Sequence, residues 1–256
     1  MPSSSIEFLL NDELVTINDL NTNTTVLEYL RNYKNLKGTK EGCASGDCGA
    51  CTAVIAELKN NKLKYKSINT CITLLYSLHS KQLLTVEYIE SKYLHPVQQS
   101  MVDNDGAQCG FCTPGFIMSM YAMHKNKISP TDSNINRYLS GNLCRCTGYR
   151  PIKEALKNLK KYKDLESDTS KVFKKLKKIK LSDVVLTRDG SKFYIHQNLK
   201  NFKKDFIKSK SPSLLVGGTD ISLDITKKRK NLNEIFYLGQ NKDLTYVRVK
   251  NNNLHI

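Results

Sequence analysis

The sequence lacks any long hydrophobic run and any export signal. No apolar stretch approaches the roughly 18–20 residues that a bilayer-spanning helix needs. The first residues, MPSSSIEFLLNDELV, contain neither the basic region, the apolar core nor the small-residue cleavage site of a secretory signal. We therefore expect a soluble, cytoplasmic chain with no membrane partner.

Tryptophan is absent, and cysteine is scarce, with 8 Cys in 256 residues. That density is well below the roughly 8–10% of a short secreted disulfide scaffold. In a chain without an export signal, such cysteines indicate metal ligands rather than disulfide bridges. The 39% of hydrophobic and 25% of charged residues are typical of folded domains, and the length suffices for two or three small ones.

Acidic residues are outnumbered, with 24 Asp and Glu against 40 Lys and Arg, and the formal net charge is +16. The basic excess lies mostly after residue 150, where the segment 171–180 reads KVFKKLKKIK. No nucleic-acid-binding motif accompanies this charge, so we do not predict a nucleic-acid partner. The basic segment is amphipathic and could lie on a membrane surface, but we favour a solvated, charged connector over residues 166–190.

The first ninety residues show the alternation and turn signals of short strands around one helix. The runs Ile6–Leu10 and Glu13–Ile17 flank Asn11-Asp12, a two-residue turn typical of a β-hairpin. Thr25-Val-Leu-Glu28 has the form of a capping box at the start of a helix, and further strand-like runs follow. We predict a compact α+β domain over residues 1–90.

From about His95 the spacing of apolar residues becomes helical. Pro114 stands at the start of one predicted helix, a second runs from about Asp132 to Ser140, and a third begins at Pro151. These features predict a small helical domain over residues 91–165. After the connector, a third unit occupies residues 191–256. Its predicted elements are a helix near Asn198–Lys208 and strands at Ser213–Val216, Ile235–Leu238 and Thr245–Val249.

The eight cysteines divide into two groups of four. In the first group, Cys43, Cys48 and Cys51 follow a C-x4-C-x2-C pattern in the Gly-rich loop EGCASGDCGAC, and Cys71 follows after 19 residues. This is the spacing of a plant-type [2Fe–2S] site, whereas zinc sites typically pair short C-x2–4-C knuckles. Glycines in such a loop let backbone N–H groups approach the sulfurs. We predict a [2Fe–2S] cluster, with zinc as the alternative.

The second group consists of Cys109-x2-Cys112 and Cys144-x-Cys146. Each pair precedes a predicted helix opened by proline, so two helix N-termini would direct N–H groups and partial positive charge toward one anionic cluster. A C-x-C pair is unusual for zinc. We predict a second [2Fe–2S] cluster held by these four thiolates.

Three segments identify a family. EGCASGDCGACT, LHPVQQSMVDNDGAQCGFCTPGF and LSGNLCRCTGYRPI closely resemble the iron–sulfur domains of the molybdenum hydroxylases, over roughly residues 5–165. The resemblance implies a β-grasp ferredoxin domain followed by a four-helix bundle, each with one [2Fe–2S] cluster. It also places Gln108 and Cys146 toward a molybdopterin cofactor carried by a separate large subunit or domain.

The third unit carries a further motif, SLLVGGTDISLDITKKRKNLNEIFYLGQNKDL, which resembles the start of the FAD domain of bacterial xanthine dehydrogenase small subunits. Glycine amides after a strand can hold a pyrophosphate. The residues implied in FAD binding are Leu214, Leu215, Val216, Gly217, Gly218, Thr219, Asp220 and Ile221. The rest of that FAD fold is absent from this sequence. We expect residues 191–256 to be marginally stable alone and to bind little FAD unless another polypeptide completes the site.

The resemblance implies an electron-transfer subunit of a hetero-oligomeric oxidoreductase, most similar to xanthine dehydrogenase in purine catabolism. The partner subunit would hydroxylate a purine with oxygen from water, and electrons would pass through the two clusters to FAD and NAD. A small subunit for an aldehyde or other substrate is one alternative. A non-enzymatic module with two structural zinc ions is the other.

Overall fold

The computed structural model describes residues 2–90, 93–163, 169–244 and 246–255. The chain is a mixed α/β protein with eleven strands and eight α-helices in these ranges. The strands are β1 Ile6–Leu10, β2 Glu13–Ile17, β3 Thr52–Lys59, β4 Lys62–Asn69, β5 Gln82–Leu84, β6 Val184–Arg188, β7 Ser191–Ile195, β8 Pro212–Leu215, β9 Glu234–Tyr237, β10 Arg248–Lys250 and β11 Asn253–His255. The helices are α1 Val26–Glu28, α2 Pro96–Asp103, α3 Thr113–Lys125, α4 Asp132–Leu139, α5 Arg150–Lys157, α6 Thr169–Lys178, α7 Leu199–Phe206 and α8 Ile221–Thr226. No helix within the described ranges has the length and apolar character to cross a bilayer.

The first sheet has the strand order β2-β1-β5-β3-β4 and surrounds a short helix. The hairpin predicted at Asn11-Asp12 is confirmed, with Asn11 at a φ of 57°. Asn60 and Asn61 form the turn between β3 and β4, both with positive φ. At the start of α1 the Thr25 hydroxyl accepts a hydrogen bond from the Glu28 amide at 3.1 Å, as a helix cap does. The chain then continues as a π-helical turn.

Strand β3 is buried on both faces. Its successive side chains point in opposite directions, so alternate residues enter two different cores. Ala53 and Ile55 belong to the core on one side of the sheet. Val54 and Ala56 belong to a second core, which α2, α3, α4 and α5 cover. The helix starts predicted at Pro114 and Pro151 and the helix predicted from Asp132 are confirmed within one or two residues.

The predicted solvated connector over residues 166–190 is wrong for most of its length. Val172, Leu176 and Ile179 recur at helical spacing in and after α6 and pack with Leu9 of the first sheet. Strand β6 then pairs antiparallel with β7. The lysines of this basic segment lie on the outer side of a helix that has a real apolar contact face. Residues 166–168 of the predicted connector lie outside the described residues.

The second sheet has the order β6-β7-β9-β8 and packs on the first. Phe193 of β7 is fully buried, and its ring centroid lies 5.6 Å from that of Tyr76. The Lys81 ammonium donates a hydrogen bond to the Tyr237 hydroxyl at 2.9 Å. The third unit thus shares a core with the first domain. The strand predicted at Thr245–Val249 overlaps β10 only at its end, and Thr245 lies outside the described residues.

Candidate metal centres

Backbone amides of the first cysteine loop point at sulfur. The Cys43 sulfur accepts hydrogen bonds from the amides of Ser45 at 3.4 Å, Asp47 at 3.2 Å and Cys48 at 3.4 Å. The Cys43 amide in turn donates to the Cys48 sulfur at 3.3 Å. Gly46 has a φ of 81°, a left-handed conformation that costs glycine no steric strain and turns the loop back on itself.

The β3–β4 hairpin explains the long spacing before the fourth cysteine. Thr52 at the start of β3 pairs with Asn69 at the end of β4, which brings together Cys51, just before Thr52, and Cys71, two residues after Asn69. Both thiols are buried, and their sulfurs lie 3.3 Å apart. The 19 residues between them are the hairpin itself.

Two thiols of this loop are easily ionised. Burial raises the pKa of Cys43, but hydrogen bonds from Ser45, Cys48 and Asp47 outweigh it and bring the pKa to about 6. A hydrogen bond with Cys71 lowers the pKa of Cys51 to about 7, and the same contact raises the pKa of Cys71. Thiolates are the form of cysteine that binds metal, so the loop is prepared to bind a cation.

The second set also falls into two thiol pairs. Cys112 forms a side-chain hydrogen bond with Cys144, and burial together with this contact raises the pKa of Cys112 to about 12. Cys109 forms a side-chain hydrogen bond with Cys146, and both residues are exposed. The Phe111 amide and then Cys146 lower the pKa of Cys109.

Helix starts support this second set. Cys112 immediately precedes α3, and the 144–146 pair lies in the loop before α5. Gly148 and Tyr149 both have positive φ, which turns the chain sharply between the cysteines and α5. The Tyr149 hydroxyl accepts a hydrogen bond from the Cys144 amide at 3.1 Å. The free N–H groups of a helix start favour an anionic group nearby.

The donors fit a two-iron cluster. All eight predicted ligands are thiols, and each set of four contains two contacting pairs, as a [2Fe–2S] core bound by four cysteines requires. The Thr113 hydroxyl beside Cys112 is buried without a hydrogen-bond partner in the described part of the chain, so a bound group there has a donor available. Among the described residues, no three or more metal-ligating side chains converge as they would on a single ion.

Gln108 and Cys146, predicted to face molybdopterin, are both exposed, beside the equally exposed Cys109. Apolar side chains surround the same loops: Phe111 is 48% exposed and Leu143 is 54% exposed. The structure therefore brings the two predicted residues to an accessible face around the second cysteine set.

The glycine turn of the third unit lies against the first cysteine set. A Cβ at Gly218, which has a φ of 74°, would lie 2.9 Å from the carbonyl oxygen of Ile72, the neighbour of Cys71. Of the eight residues predicted to bind FAD, Leu215 is buried, while Leu214 and Val216 are 48% and 65% exposed. These residues form the end of β8, the turn and the first residue of α8.

A cavity of about 540 Å³ lies next to this turn. It is lined by Cys71 of the first set, by Arg31 and by Lys227 and Arg229 after α8, but not by residues 214–221. Lys227 also donates a hydrogen bond to the Cys43 carbonyl. No local sequence signal indicates Lys227, because this contact joins residues far apart in the chain. Asn142 was missed too, although it stands in the LSGNLCRC segment.

Two family models match the chain. One, described as a 2Fe-2S iron-sulfur cluster binding domain, matches residues 8–76. The other, described as a [2Fe-2S] binding domain, matches residues 85–157. The chain therefore contains two [2Fe–2S]-type domains in succession.

Similar proteins include a xanthine dehydrogenase/oxidase of Mus musculus, 46% identical over 157 residues, or 60% of this chain and 12% of that protein. A probable aldehyde oxidase of Caenorhabditis elegans is 43% identical over 159 residues, 61% of this chain and 13% of that protein. The chain thus spans about an eighth of the length of these curated relatives.

Solved structures match a similar share of the chain. Quinoline 2-oxidoreductase from Pseudomonas putida 86 matches with a TM-score of 0.50 and 29% identity, over 60% of this chain and 90% of that chain. Aldehyde oxidoreductase from Desulfovibrio gigas matches with a TM-score of 0.53 and 29% identity, over 60% of this chain and 16% of that chain. The matched region is nearly a whole chain in one neighbour and a small part of the chain in the other.

Proposed function

We propose that this chain, whose first 157 residues are an iron–sulfur module of the molybdenum hydroxylases, carries electrons from a molybdopterin centre to FAD. The molybdopterin would be held by a partner subunit or domain, and NAD would be the final acceptor. The observation that supports this most strongly is that eight thiols lie in two sets, each made of two pairs in side-chain contact, on one short chain. When bound, each [2Fe–2S] cluster takes up and releases one electron at a time.

The first domain would hold its cluster as a β-grasp ferredoxin does, with Cys43 and Cys48 on one iron and Cys51 and Cys71 on the other. The loop amides that donate to the Cys43 sulfur would stabilise the added negative charge of the reduced state. The buried pair would keep solvent away from the second iron. These residues therefore both bind the cluster and set its potential.

The helical domain would hold the other cluster as a four-helix bundle, with the pairs Cys109–Cys146 and Cys112–Cys144. The N-termini of α3 and α5 would offset the net charge of four thiolates around the core. Because Cys109 and Cys146 are exposed, this cluster would lie close to the protein surface. It is therefore the natural entry point for electrons from a docked partner.

Docking would use the face that carries Gln108 and Cys146. Phe111 and Leu143 are large, exposed apolar side chains beside the same cysteines, and burying them would stabilise a hetero-oligomer. The partner would be the molybdopterin-binding chain. The exposed apolar side chains are close in sequence to the exposed cluster ligands, so docking there would bring the partner's cofactor near the second cluster.

Electrons would leave on the opposite side, near the first set. The Gly218 turn touches the residue after Cys71, and the cavity of about 540 Å³ opens beside that cysteine. The wall carries three cations, Arg31, Lys227 and Arg229, against two carboxylates, Glu28 and Glu41, and this excess of positive charge would attract an anionic cofactor such as FAD. Residues 214–221 do not line this cavity, so their backbone amides would contact only a part of the cofactor that extends beyond it.

One experiment separates this function from its two alternatives, which are a hydroxylase for another substrate and a module with two structural zinc ions. The relatives include xanthine dehydrogenases and aldehyde oxidases, and quinoline 2-oxidoreductase is a structural neighbour, so the partner's substrate would be a purine, an aldehyde or another compound such as a quinoline. Each candidate substrate is added anaerobically to the complex of this chain with its co-purifying molybdopterin chain. We expect xanthine to bleach the visible absorption of the clusters. Bleaching by aldehydes alone would identify the other enzyme class, and a colourless protein would indicate two zinc sites.

A further inference from the structure

Asn142 lies buried between the two cysteine loops. Its side-chain amide donates hydrogen bonds to the Gly49 carbonyl at 3.0 Å and to the Thr52 hydroxyl at 3.1 Å. Its side-chain oxygen accepts a hydrogen bond from the Ser119 hydroxyl at 2.6 Å. The residue is 4% exposed. One side chain thus ties the loop of the first set to helix α3 and to the loop of the second set.

The backbone next to Asn142 connects the two sets directly. The Leu143 amide donates a hydrogen bond to the Cys48 carbonyl at 2.9 Å. Leu143 is bonded to Cys144, so a ligand of the first set and a ligand of the second set are separated by one residue and one hydrogen bond. Asn142 immediately precedes Leu143, so its side-chain hydrogen bonds hold this backbone contact in place.

The loops are packed too closely for any side chain to come between them. A Cβ at Gly115 would lie 2.2 Å from the carbonyl oxygen of Gly49. A Cβ at Gly49 would lie 2.2 Å from the carbonyl oxygen of Gly141. Real Cβ atoms do not approach so closely, so these glycines permit direct backbone contact at the junction that Asn142 holds together.

We propose that Asn142 is a positioning residue that fixes the separation of the two clusters and so sets the rate at which an electron passes between them. The proposal rests on the proposed function, because it requires both clusters to be present. With both clusters bound, one electron would pass from the cluster of the second set to that of the first, and no bond would form or break. Both the transfer rate and the magnetic interaction fall steeply with distance, so a loosened junction weakens both.

The test measures the magnetic interaction between the two reduced clusters. If Asn142 only stabilised the fold, its replacement would leave this interaction unchanged in the folded protein. The full-length protein with both clusters is reduced with dithionite, and its electron paramagnetic resonance spectrum is recorded at low temperature. We expect wild type to show two signals with spin–spin splitting. Asn142→Ala should keep both signals but lose splitting, and electrons should equilibrate more slowly between the clusters.

Asn126→Ala is the matched control. Asn126 also bridges two layers, since its amide donates to the Tyr65 carbonyl at 2.7 Å and to the Ala122 carbonyl at 2.9 Å. None of these bonds involves a cysteine loop. Both variants should therefore lose stability, measured by thermal unfolding, but only Asn142→Ala should lose splitting.

A second variant covers the case in which Asn142→Ala does not fold. Asn142→Asp keeps an oxygen that accepts from Ser119 and replaces the amide donor to Gly49 with a second, buried carboxyl oxygen that repels the Gly49 carbonyl when ionised, so it should reproduce the loss of splitting. Wild-type splitting in the folded variants would overturn the proposal. So would loss of either cluster signal from Asn142→Asp, since Asn142 would then be needed merely to assemble a cluster. Absence of iron from wild type would instead refute the proposed function.

Discussion

Replacing Phe193 with alanine should destabilise both sheets, although the residue belongs to the second. Phe193 is fully buried, and its ring lies near Tyr76 of the first domain at 5.6 Å and near Tyr237 of the second sheet at 6.4 Å. Its neighbours in this core include Ile6 and Phe8 of β1. If the two sheets form one cooperative unit, a cavity at this position weakens the whole unit.

The size of the effect follows from the burial of the ring. Removing a fully buried phenylalanine side chain typically costs about 3–5 kcal/mol of unfolding free energy. That is a large fraction of the roughly 5–15 kcal/mol by which native proteins are stable. At about 1.4 kcal/mol per factor of ten, amides that exchange through the common unfolding event should lose roughly a hundredfold or more in hydrogen-exchange protection.

Hydrogen exchange measured by mass spectrometry gives the protection of peptides from each sheet separately. Peptides covering β1 and β2 should lose protection in Phe193→Ala together with those covering β7 and β9. Phe206→Ala is the control, since Phe206 packs on Phe202 at 5.0 Å and on Phe236 at 5.4 Å, on the other face of the second sheet. Unchanged protection of β1 and β2 in Phe193→Ala would refute the shared core and restore an independent third unit.

Three further changes test the cluster assignments. Cys146→Ala should remove one electron paramagnetic resonance signal and halve the iron content; loss of both signals from a folded protein would argue against two separate sites. Gln108→Ala should slow reduction of the clusters by substrate through the partner but not reduction by dithionite, whereas equal slowing by both would point to a folding defect. Lys227→Met removes a cation that donates to the Cys43 carbonyl, so the reduction potential of the first cluster should fall in a redox titration. Lys228→Met, at the next position, should leave that potential close to the wild-type value. An equal shift in both variants would mean that the effect comes from general surface charge and not from the contact of Lys227 with the loop.

Local signals in the sequence predicted much of the fold. The hairpin at Asn11-Asp12, the cap at Thr25 and the helix starts at Pro114 and Pro151 depend on interactions within a few residues, which a sequence displays directly. The grouping of the cysteines followed from spacing alone, and the β3–β4 hairpin accounts for the longest gap in the first set.

Contacts between distant segments could not be predicted. The lysines of the basic segment 171–180 suggest a solvated connector. Only the packing of Val172 and Leu176 on Leu9 shows that this segment is a helix with one buried face. Asn142 resembles any loop asparagine until Gly49 and Ser119 are placed around it. Tertiary partners give these residues their roles.

The most direct test of the central claim is the metal and sulfide content of the purified full-length protein, prepared without oxygen. Two [2Fe–2S] clusters require about four irons and about four acid-labile sulfides per chain, with visible absorption that dithionite bleaches. A colourless protein with zinc in place of iron, and no labile sulfide, would contradict the electron-transfer function.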